Sequence, residues 1–216
     1  MTSTYSLLHL DASVRKNSFS RQLSARFADA WRASHPTGDY RYRDLAADPV
    51  PHLTEAWTEI CDAVLAAGLT DTARYPEVVG TRGQRAAWAV VEPLLTELVD
   101  ADTVLIGTPM YNFSVPATLK AWLDQVTFPR MSLRGKRFVI AGARGGTYLP
   151  GSPRAPFDHE ERYLRDFLAG HFDVDDVVFV HVELTNALVD PRLADRVDAH
   201  AASLDAALER IAEVAR

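Results

Sequence analysis

The sequence predicts an α/β fold in which a five-stranded parallel sheet lies between two layers of helices. Four short apolar runs have the composition of strands buried on both faces, and a fifth run alternates tyrosines with charged residues. Amphipathic segments of helical length separate these runs. With 216 residues, the chain is long enough to bury such a sheet, and we expect one domain over residues 1–216.

The first strand is expected over Tyr5–Leu10, followed by a helix with Leu23, Phe27 and Trp31 on one face. The polar loop between them carries Ser13, Ser18 and Ser20. Unpaired N–H groups and the helix dipole favour an anion such as phosphate at this helix start. A simple N-cap role explains Ser20 equally well, so both interpretations stay open.

The middle of the chain is less regular. Asp39–Arg43 is expected to be a second strand near an edge of the sheet. The course of residues 44–83 stays open, although Leu53–Ala67 has the pattern of a helix. Ala86–Asp100 also reads as helical, and Pro93 is expected either to kink this helix or to start a second one.

The most informative stretch is Thr103–Val126. A buried strand over Thr103–Thr108 runs directly into a loop, and a helix follows, for which we expect Ser114 as the cap and Pro116 in the first turn. Ligands of open parallel sheets bind beyond the carboxyl ends of the strands. The loop residues, which point to a flat and partly polar ligand, are Pro109, Met110, Tyr111, Asn112 and Phe113.

The fourth strand, Arg137–Ala143, is also followed by a candidate binding loop, Arg144–Tyr148. Its adjacent glycines, Gly145 and Gly146, let the backbone approach a planar ligand and aim consecutive N–H groups at one acceptor. Taken alone, a Gly-Gly pair is more typical of an ordinary turn. Because this loop and the Pro109–Phe113 loop both follow the carboxyl end of a strand, we favour the ligand-binding interpretation.

The remaining elements complete the sheet. A helix opens at Asp158, and its acidic first turn complements the helix dipole, which we prefer to a metal site at His159. The fifth strand is expected over Val177–Val182, and the closing helix over Pro191–Val214.

Composition excludes several classes of function. The net charge is −6 and basic residues are dispersed, so we expect no nucleic-acid partner. Cys61 is the single cysteine, which favours a reducing, cytoplasmic setting without disulfides. No leader precedes the first strand and no apolar run has membrane-spanning length, so no membrane partner is expected. The seven histidines show no metal-ligand spacing, and neither a P-loop nor a dinucleotide fingerprint is present.

The run 109–116, together with the helix carrying Leu119, Lys120, Trp122, Leu123 and Asp124, resembles the FMN-dependent NADH-azoreductases and related NAD(P)H:quinone oxidoreductases of the flavodoxin-like class. The resemblance implies a flavodoxin-like three-layer α/β/α sandwich with strand order 2-1-3-4-5. It also implies a homodimer whose partner chain walls part of the pocket. Residues 44–83 are unmatched, and the connection 127–135 is shorter than in well-known azoreductases, which leaves the electron acceptor open.

The resemblance also implies positions for bound FMN. The phosphate would be held by Ser13, Ser18, Phe19 and Ser20. The flavin ring would be held by Pro109, Met110, Tyr111, Asn112 and Phe113 and by Ala143, Arg144, Gly145 and Gly146. The family has a serine where Ala143 stands, so a hydroxyl contact is lost there, while the backbone contacts from Ala143 to Gly146 are expected to remain. Tyr148 is the candidate catalytic residue, because relatives often place a polar ring near the flavin at this position.

The function implied by the resemblance is a two-step, ping-pong reaction. NADH or NADPH would reduce FMN and leave, and a quinone or azo compound would then take the electron pair. A flavodoxin-like carrier that passes electrons to a protein partner is one alternative, and a flavin-free binding module is another. The sequence leaves open the acceptor, the choice between NADH and NADPH, and the choice between FMN and FAD.

Overall fold

A computed structural model describes residues 5–215 and contains one five-stranded parallel sheet in the order β2-β1-β3-β4-β5. This order confirms the expected topology. The strands are β1 (Ser6–Asp11), β2 (Asp39–Asp44), β3 (Thr103–Pro109), β4 (Arg137–Ala143) and β5 (Val177–Val182). The half-exposed β2 forms one edge of the sheet, as its alternating sequence predicts.

Helices cover both faces of the sheet and form two separate hydrophobic cores. They are α1 (Phe19–Ser34), α2 (Glu55–Ala66), α3 (Arg82–Asp100), α4 (Ala117–Val126), α5 (His159–Phe172) and α6 (Val197–Val214). Leu7 and Leu105 point into the core beneath α1 and α6. The adjacent residues Leu8 and Val104 point to the opposite face, into the core beneath α2 to α5. This alternation produces the three-layer sandwich.

Three local predictions differ from the structure. The helix expected to begin at Ala86 begins at Arg82, because Thr81 and Gln84 form a capping box, and it continues unbroken through Pro93. Ser114 is not the cap of α4, whose N-cap is Pro116 without a side-chain hydrogen bond. The closing helix is a 3₁₀ segment over Pro191–Arg196 followed by α6.

The segment 44–83, whose course the sequence left open, covers the second face of the sheet. It contains α2 and a 3₁₀ helix over Thr72–Val78. Tyr75 is fully buried, and its ring centroid lies 4.9 Å from that of Phe128. Trp57 and Trp88 contact the same Phe128 ring at 5.5 and 6.1 Å. An aromatic cluster thus joins this segment to the connection after α4. Over residues 5–215, none of the helices combines the length and apolar character needed to cross a bilayer.

Candidate functional site

A cleft of about 420 Å³ opens at the carboxyl ends of β1, β3 and β4. This is the edge where open parallel sheets bind ligands. The cleft is walled by the loop before α1, the loop after β3, the loop after β4, and the segment after β5. The predicted site residues that line it are Ser13, Ser18, Phe19, Pro109, Met110, Tyr111, Asn112, Phe113, Ala143, Gly145, Gly146 and Tyr148.

The first wall is the N-terminus of α1. Ser18 is the N-cap, and its Oγ accepts the N–H of Arg21 at 3.2 Å. Ser20 does not line the cleft, since it is fully buried with its Oγ 3.1 Å from that of Ser18. Within residues 5–215, no protein acceptor takes the N–H of Phe19 or Ser20. These donors stand at the positive end of the helix dipole, so this wall suits an anionic group.

Arg21 fixes the loop that carries these donors. Its Nη2 donates to the carbonyl of Ser13 at 2.7 Å and to Asp44 at 2.8 Å. Asp11, buried at the end of β1, accepts from Arg21 at 3.4 Å and from the Tyr42 hydroxyl at 3.1 Å. Burial and the nearby Asp11 carboxylate raise the pKa of Tyr42 to about 12, so its hydroxyl keeps its proton. The loop is therefore held from behind by a charged network.

The second wall is a tight hairpin formed by Tyr111–Ser114. Tyr111 and Ser114 exchange backbone hydrogen bonds of 2.9 and 3.0 Å. Asn112 and Phe113 both have positive φ, at 50° and 70°. That conformation fits asparagine but strains phenylalanine, and such strain is typical of functional sites. Within the described chain, the N–H groups of Asn112 and Phe113 have no protein acceptor.

The third wall is the glycine loop after β4. The carbonyls of Gly145 and Gly146 accept the N–H groups of Asn186 and Leu184, each at 3.1 Å. The N–H groups of these two glycines have no acceptor among residues 5–215. A Cβ built on Gly145 would lie 2.6 Å from Nδ2 of Asn186, so any larger residue displaces the wall. The loop therefore presents bare backbone donors to the cleft.

Tyr148 closes the far end of this wall. Its ring lies 6.5 Å from that of Phe113 between centroids, in an edge-on arrangement. Glu183 holds its position, because the carboxylate accepts the Tyr148 N–H at 2.9 Å and the Thr147 hydroxyl at 2.6 Å. The cleft thus has an aromatic end and a polar end, as a flat ligand with an anionic tail would need.

Arg144 lies behind the cleft and does not line it, so its predicted backbone contact with the cofactor stays a prediction. Its side chain is buried and turned away from the cleft, with Nη2 2.8 Å from Asp158 and 3.3 Å from Glu161. Its N–H donates to the carbonyl of Val182, and its own carbonyl accepts from Thr185.

The carboxylates around Arg144 differ in charge. Glu160 is fully buried, and this burial raises its pKa to about 8, although Arg144 opposes the shift. The hydrogen bond from His181 lowers the pKa of Glu161 to about 2. Burial lowers the pKa of His181. At neutral pH the cluster therefore holds one neutral acid and one neutral imidazole beneath the glycine loop.

Sequence reasoning missed part of the cleft wall. The missed residues are Arg15, Asn17, Arg154, Thr185, Asn186, Leu188 and Val189. Residues 185–189 follow the carboxyl end of β5, so the rule that ligands bind at strand ends could have found them. Arg15 and Asn17 stand inside the recognised serine loop. No sequence motif indicated Arg154, because its loop reaches the cleft only in the folded chain.

In the part of the chain that the structure describes, no group of three or more His, Cys, Asp or Glu side chains is arranged to hold a metal ion. The cleft offers a different donor set, made of backbone N–H groups, hydroxyls and two arginines. These are ligands for phosphate and for carbonyl oxygens of a heteroaromatic ring, so the residues present fit a flavin nucleotide.

Comparison with known proteins gives consistent results. A family model described as a flavodoxin-like fold matches residues 6–208. A Nocardia farcinica protein named FMN-dependent NADH:quinone oxidoreductase is 66% identical over 203 residues, which are 94% of each chain. A Streptomyces avermitilis protein of the same name is 39% identical over 97% of this chain and 95% of its own. The crystal structure of an FMN-dependent NADH-azoreductase from Bacillus anthracis in complex with FMN has a TM-score of 0.75 at 18% identity over 97% of both chains, which shows a shared fold.

Proposed function

The chain belongs to the flavodoxin-like family whose model spans residues 6–208, and from this premise we propose that it is an FMN-dependent NADH:quinone oxidoreductase that also accepts azo compounds. The observation that carries the proposal is the cleft, in which three loops present unpaired backbone donors around one cavity. The 66% identical relative bears the same activity in its name.

The N-terminus of α1 would hold the FMN phosphate. The N–H groups of Phe19 and Ser20 and the hydroxyls of Ser13 and Ser18 supply donors, and the helix dipole adds a favourable field. Ser20 supports Ser18 from behind, because their hydroxyls are hydrogen-bonded. Arg15 stands on the same loop and adds a positive charge to the phosphate end.

The hairpin and the glycine loop would hold the flavin ring. Asn112 and Phe113 line the cleft from one loop and Gly145 and Gly146 from another, and the N–H groups of these four residues have no acceptor among residues 5–215. Such donors, fixed in advance, stabilise negative charge that develops on a ring carbonyl edge. When bound, FMN supplies the hydride chemistry between NADH and the quinone.

The aromatic end of the cleft would receive both substrates in turn. Tyr148 and Phe113 provide a surface for flat rings, and Tyr148 is our candidate for the residue nearest the reacting atoms. One cleft that serves the donor first and the acceptor second gives ping-pong kinetics. NADH is the donor we propose, in keeping with the names of the relatives.

We also propose a homodimer and a cytoplasmic setting. Exposed apolar side chains surround the cleft, including Leu149 and Val189, at 62% and 73% exposure. Patches of this kind favour a protein partner, and a second copy would shelter the bound flavin. Cys61 is buried and its thiol pKa is raised to about 12 by burial, which suits a protein without disulfide chemistry.

The test is a visible spectrum of purified protein after incubation with FMN and desalting. We expect retained yellow absorbance that bleaches when NADH is added without oxygen and returns when a quinone is added. NADPH and FAD, used in parallel, test the choice of donor and cofactor. Flavin that binds but ignores both nicotinamides would favour an electron carrier, and absence of bound flavin would contradict the proposal.

A further inference from the structure

Arg154 is a positively charged residue in the cleft that FMN binding does not account for. Among residues 5–215, two arginines and no carboxylate line the cleft, although the whole chain has a net charge of −6. Arg15 belongs to the loop at the phosphate end. Arg154 belongs to a separate loop, between β4 and α5, and FMN brings only one phosphate group. Arg154 is therefore available to bind a different anion.

The side chain of Arg154 is placed over the glycine loop. A Cβ built on Gly146 would lie 3.2 Å from both Cδ and Nη1 of Arg154. The backbone around it is ordered by successive turns, since its carbonyl accepts the N–H of Phe157 at 2.9 Å and Ala155 donates to Ser152 at 3.1 Å. Its guanidinium thus lies at the cleft edge, close to the proposed ring-binding backbone.

Arg154 forms no ion pair with any residue of the described chain. Other exposed arginines do, for example Arg134 with Asp173 at 2.7 Å and Arg192 with Asp190 at 2.8 Å. The nearest acid along the sequence, Asp158, is turned inward to Arg144 at 2.8 Å. The guanidinium is exposed and keeps its full donor capacity for a ligand.

The surroundings of Arg154 indicate what that ligand looks like. Apolar and aromatic side chains line the same cleft, namely Phe113, Tyr148, Leu188 and Val189. A flat ring packs on such a surface, whereas a planar guanidinium pairs with a carboxylate or sulfonate. We propose that Arg154 binds the anionic group of the electron acceptor, so that the enzyme prefers aromatic acceptors that carry a negative charge. This inference rests on the proposed function.

The binding test uses protein loaded with oxidised FMN and two ligands that cannot be reduced by it. Naphthalene-2-sulfonate carries the charge, and naphthalene-2-sulfonamide is its neutral counterpart. We expect Arg154→Met to raise the Kd of the sulfonate about fivefold to tenfold relative to that of the sulfonamide, as measured by titration calorimetry. Added salt should weaken sulfonate binding to the parent protein and have less effect on the variant.

Arg26→Met is the matched control. Arg26 is exposed on α1, does not line the cleft, and its loss changes the net charge by the same amount. We expect this variant to bind both ligands as the parent does. Steady-state kinetics extend the test: the ratio of kcat/KM for 1,4-naphthoquinone-2-sulfonate to that for 2-methyl-1,4-naphthoquinone should fall about fivefold to tenfold in Arg154→Met. Taking the ratio between variants cancels the difference in reduction potential between the quinones.

Three results would overturn the inference. One is an unchanged sulfonate-to-sulfonamide ratio in Arg154→Met. Another is a higher Kd for FMN itself in that variant, which would assign Arg154 to the cofactor. The third is a raised KM for NADH with equal losses for both quinones, which would assign it to the donor. Failure of the proposed function would look different, because the parent protein would then retain no FMN or reduce neither quinone.

Discussion

At the residue scale, Glu160 is a buried acid whose protonation state should govern stability above neutral pH. Burial raises its pKa in the folded protein to about 8, whereas in the unfolded chain a glutamate releases its proton near pH ~4.3. The folded state therefore binds more protons between these values. The free energy of unfolding should fall as pH rises through this window and level off above it.

His181 opposes this trend at lower pH. Burial lowers its pKa in the folded state, and the unfolded chain takes up a proton below pH ~6.5. Stability linked to His181 is therefore lost as pH falls below that value. Between pH 6.5 and 9, Glu160 is the group of this pair that changes charge.

We predict that Glu160→Gln becomes more stable relative to the parent protein as pH rises from 6.5 to 9, by about 1 to 2 kcal/mol. Urea unfolding at each pH measures the difference. Glu161→Gln is the matched control, because Glu161 has a pKa of about 2 and stays charged throughout the window. A Glu160→Gln difference that does not change with pH would contradict the assignment.

A second prediction concerns Arg144 and Arg165, the two arginines that contact the carboxylate of Glu161. Glu161 contacts Arg144 from the buried side at 3.3 Å and the exposed Arg165 at 2.6 Å. Arg144→Met leaves the largely buried carboxylates of Asp158 and Glu183 without their cation and should cost about 3 to 5 kcal/mol. Arg165→Met removes an exposed pair and should cost about 1 kcal/mol or less.

Urea denaturation of both variants at the same pH provides the measurement. The FMN dissociation constant gives a second readout, because Arg144 is joined by its main chain to the glycine loop and Arg165 is not. We expect weaker FMN binding in Arg144→Met alone. Equal losses of stability in the two variants would show that the buried cluster does not depend on Arg144.

Part of the region around the cleft depends on contacts between residues that are far apart in the chain. The residues of the Pro109–Phe113 motif line the cleft, and their role in cofactor binding stays a prediction. The inward direction of Arg144 depends on Asp158 and Glu161, which are distant in sequence and were not linked to it by any pattern. Contacts that only the folded chain creates cannot be read from spacing.

At the element scale, the N-terminus of α1 combines a structural and a binding role that can be separated. Ser18 caps the helix by accepting the N–H of Arg21 at 3.2 Å. We predict that Ser18→Ala lowers the free energy of unfolding by about 1 kcal/mol and weakens FMN binding. Riboflavin, which lacks the phosphate, should bind the variant and the parent with similar affinity. Fluorescence titration with both flavins measures the effect.

Thr81→Ala supplies the control for this cap. Thr81 begins α3 with a capping box and accepts the N–H of Gln84 at 3.1 Å, but it does not line the cleft. Its loss should cost similar stability and leave the affinity for both flavins unchanged. If Ser18→Ala weakens FMN and riboflavin equally, the phosphate does not bind at this helix.

Element boundaries show why some predictions succeeded and others did not. The strands β4 and β5 coincide with their predicted ranges, because a continuous apolar run marks clearly where a buried strand begins and ends. The start of α3 moved because the capping box lies outside the apolar stripe used to find the helix. The closing helix breaks at Leu193, whose φ of −113° and ψ of 16° are not helical. Apolar spacing alone does not detect such a break.

At the scale of the whole molecule, the cleft and its apolar rim belong to one surface. The strongly exposed apolar residues of this rim are Val14, Leu149, Phe157, Leu188 and Val189. They come from the loops after β1, β4 and β5, which meet because the strands are parallel. A rim of this kind around a ligand cleft favours a partner that covers it, and a second copy is the partner we propose.

We predict that Leu149→Asp weakens dimerisation at least tenfold, because a carboxylate placed in an apolar interface loses its hydration. Leu149 is 62% exposed and does not line the cleft, so the substitution leaves the flavin contacts of its own chain in place. Sedimentation velocity over a dilution series measures the dimer dissociation constant. Leu65→Asp, at an exposed leucine of α2, is the control and should dimerise as the parent does.

A dimer that walls the cleft has a further consequence for cofactor binding. FMN affinity should depend on protein concentration. A dimer that walls the cleft binds FMN more tightly than the monomer, and the dimer fraction rises with concentration. Leu149→Asp should then bind FMN more weakly when it is monomeric, and raising its concentration should restore the affinity. A parent protein that sediments as a monomer at all concentrations, with constant FMN affinity, would contradict the proposed dimer and leave the rim open for another partner.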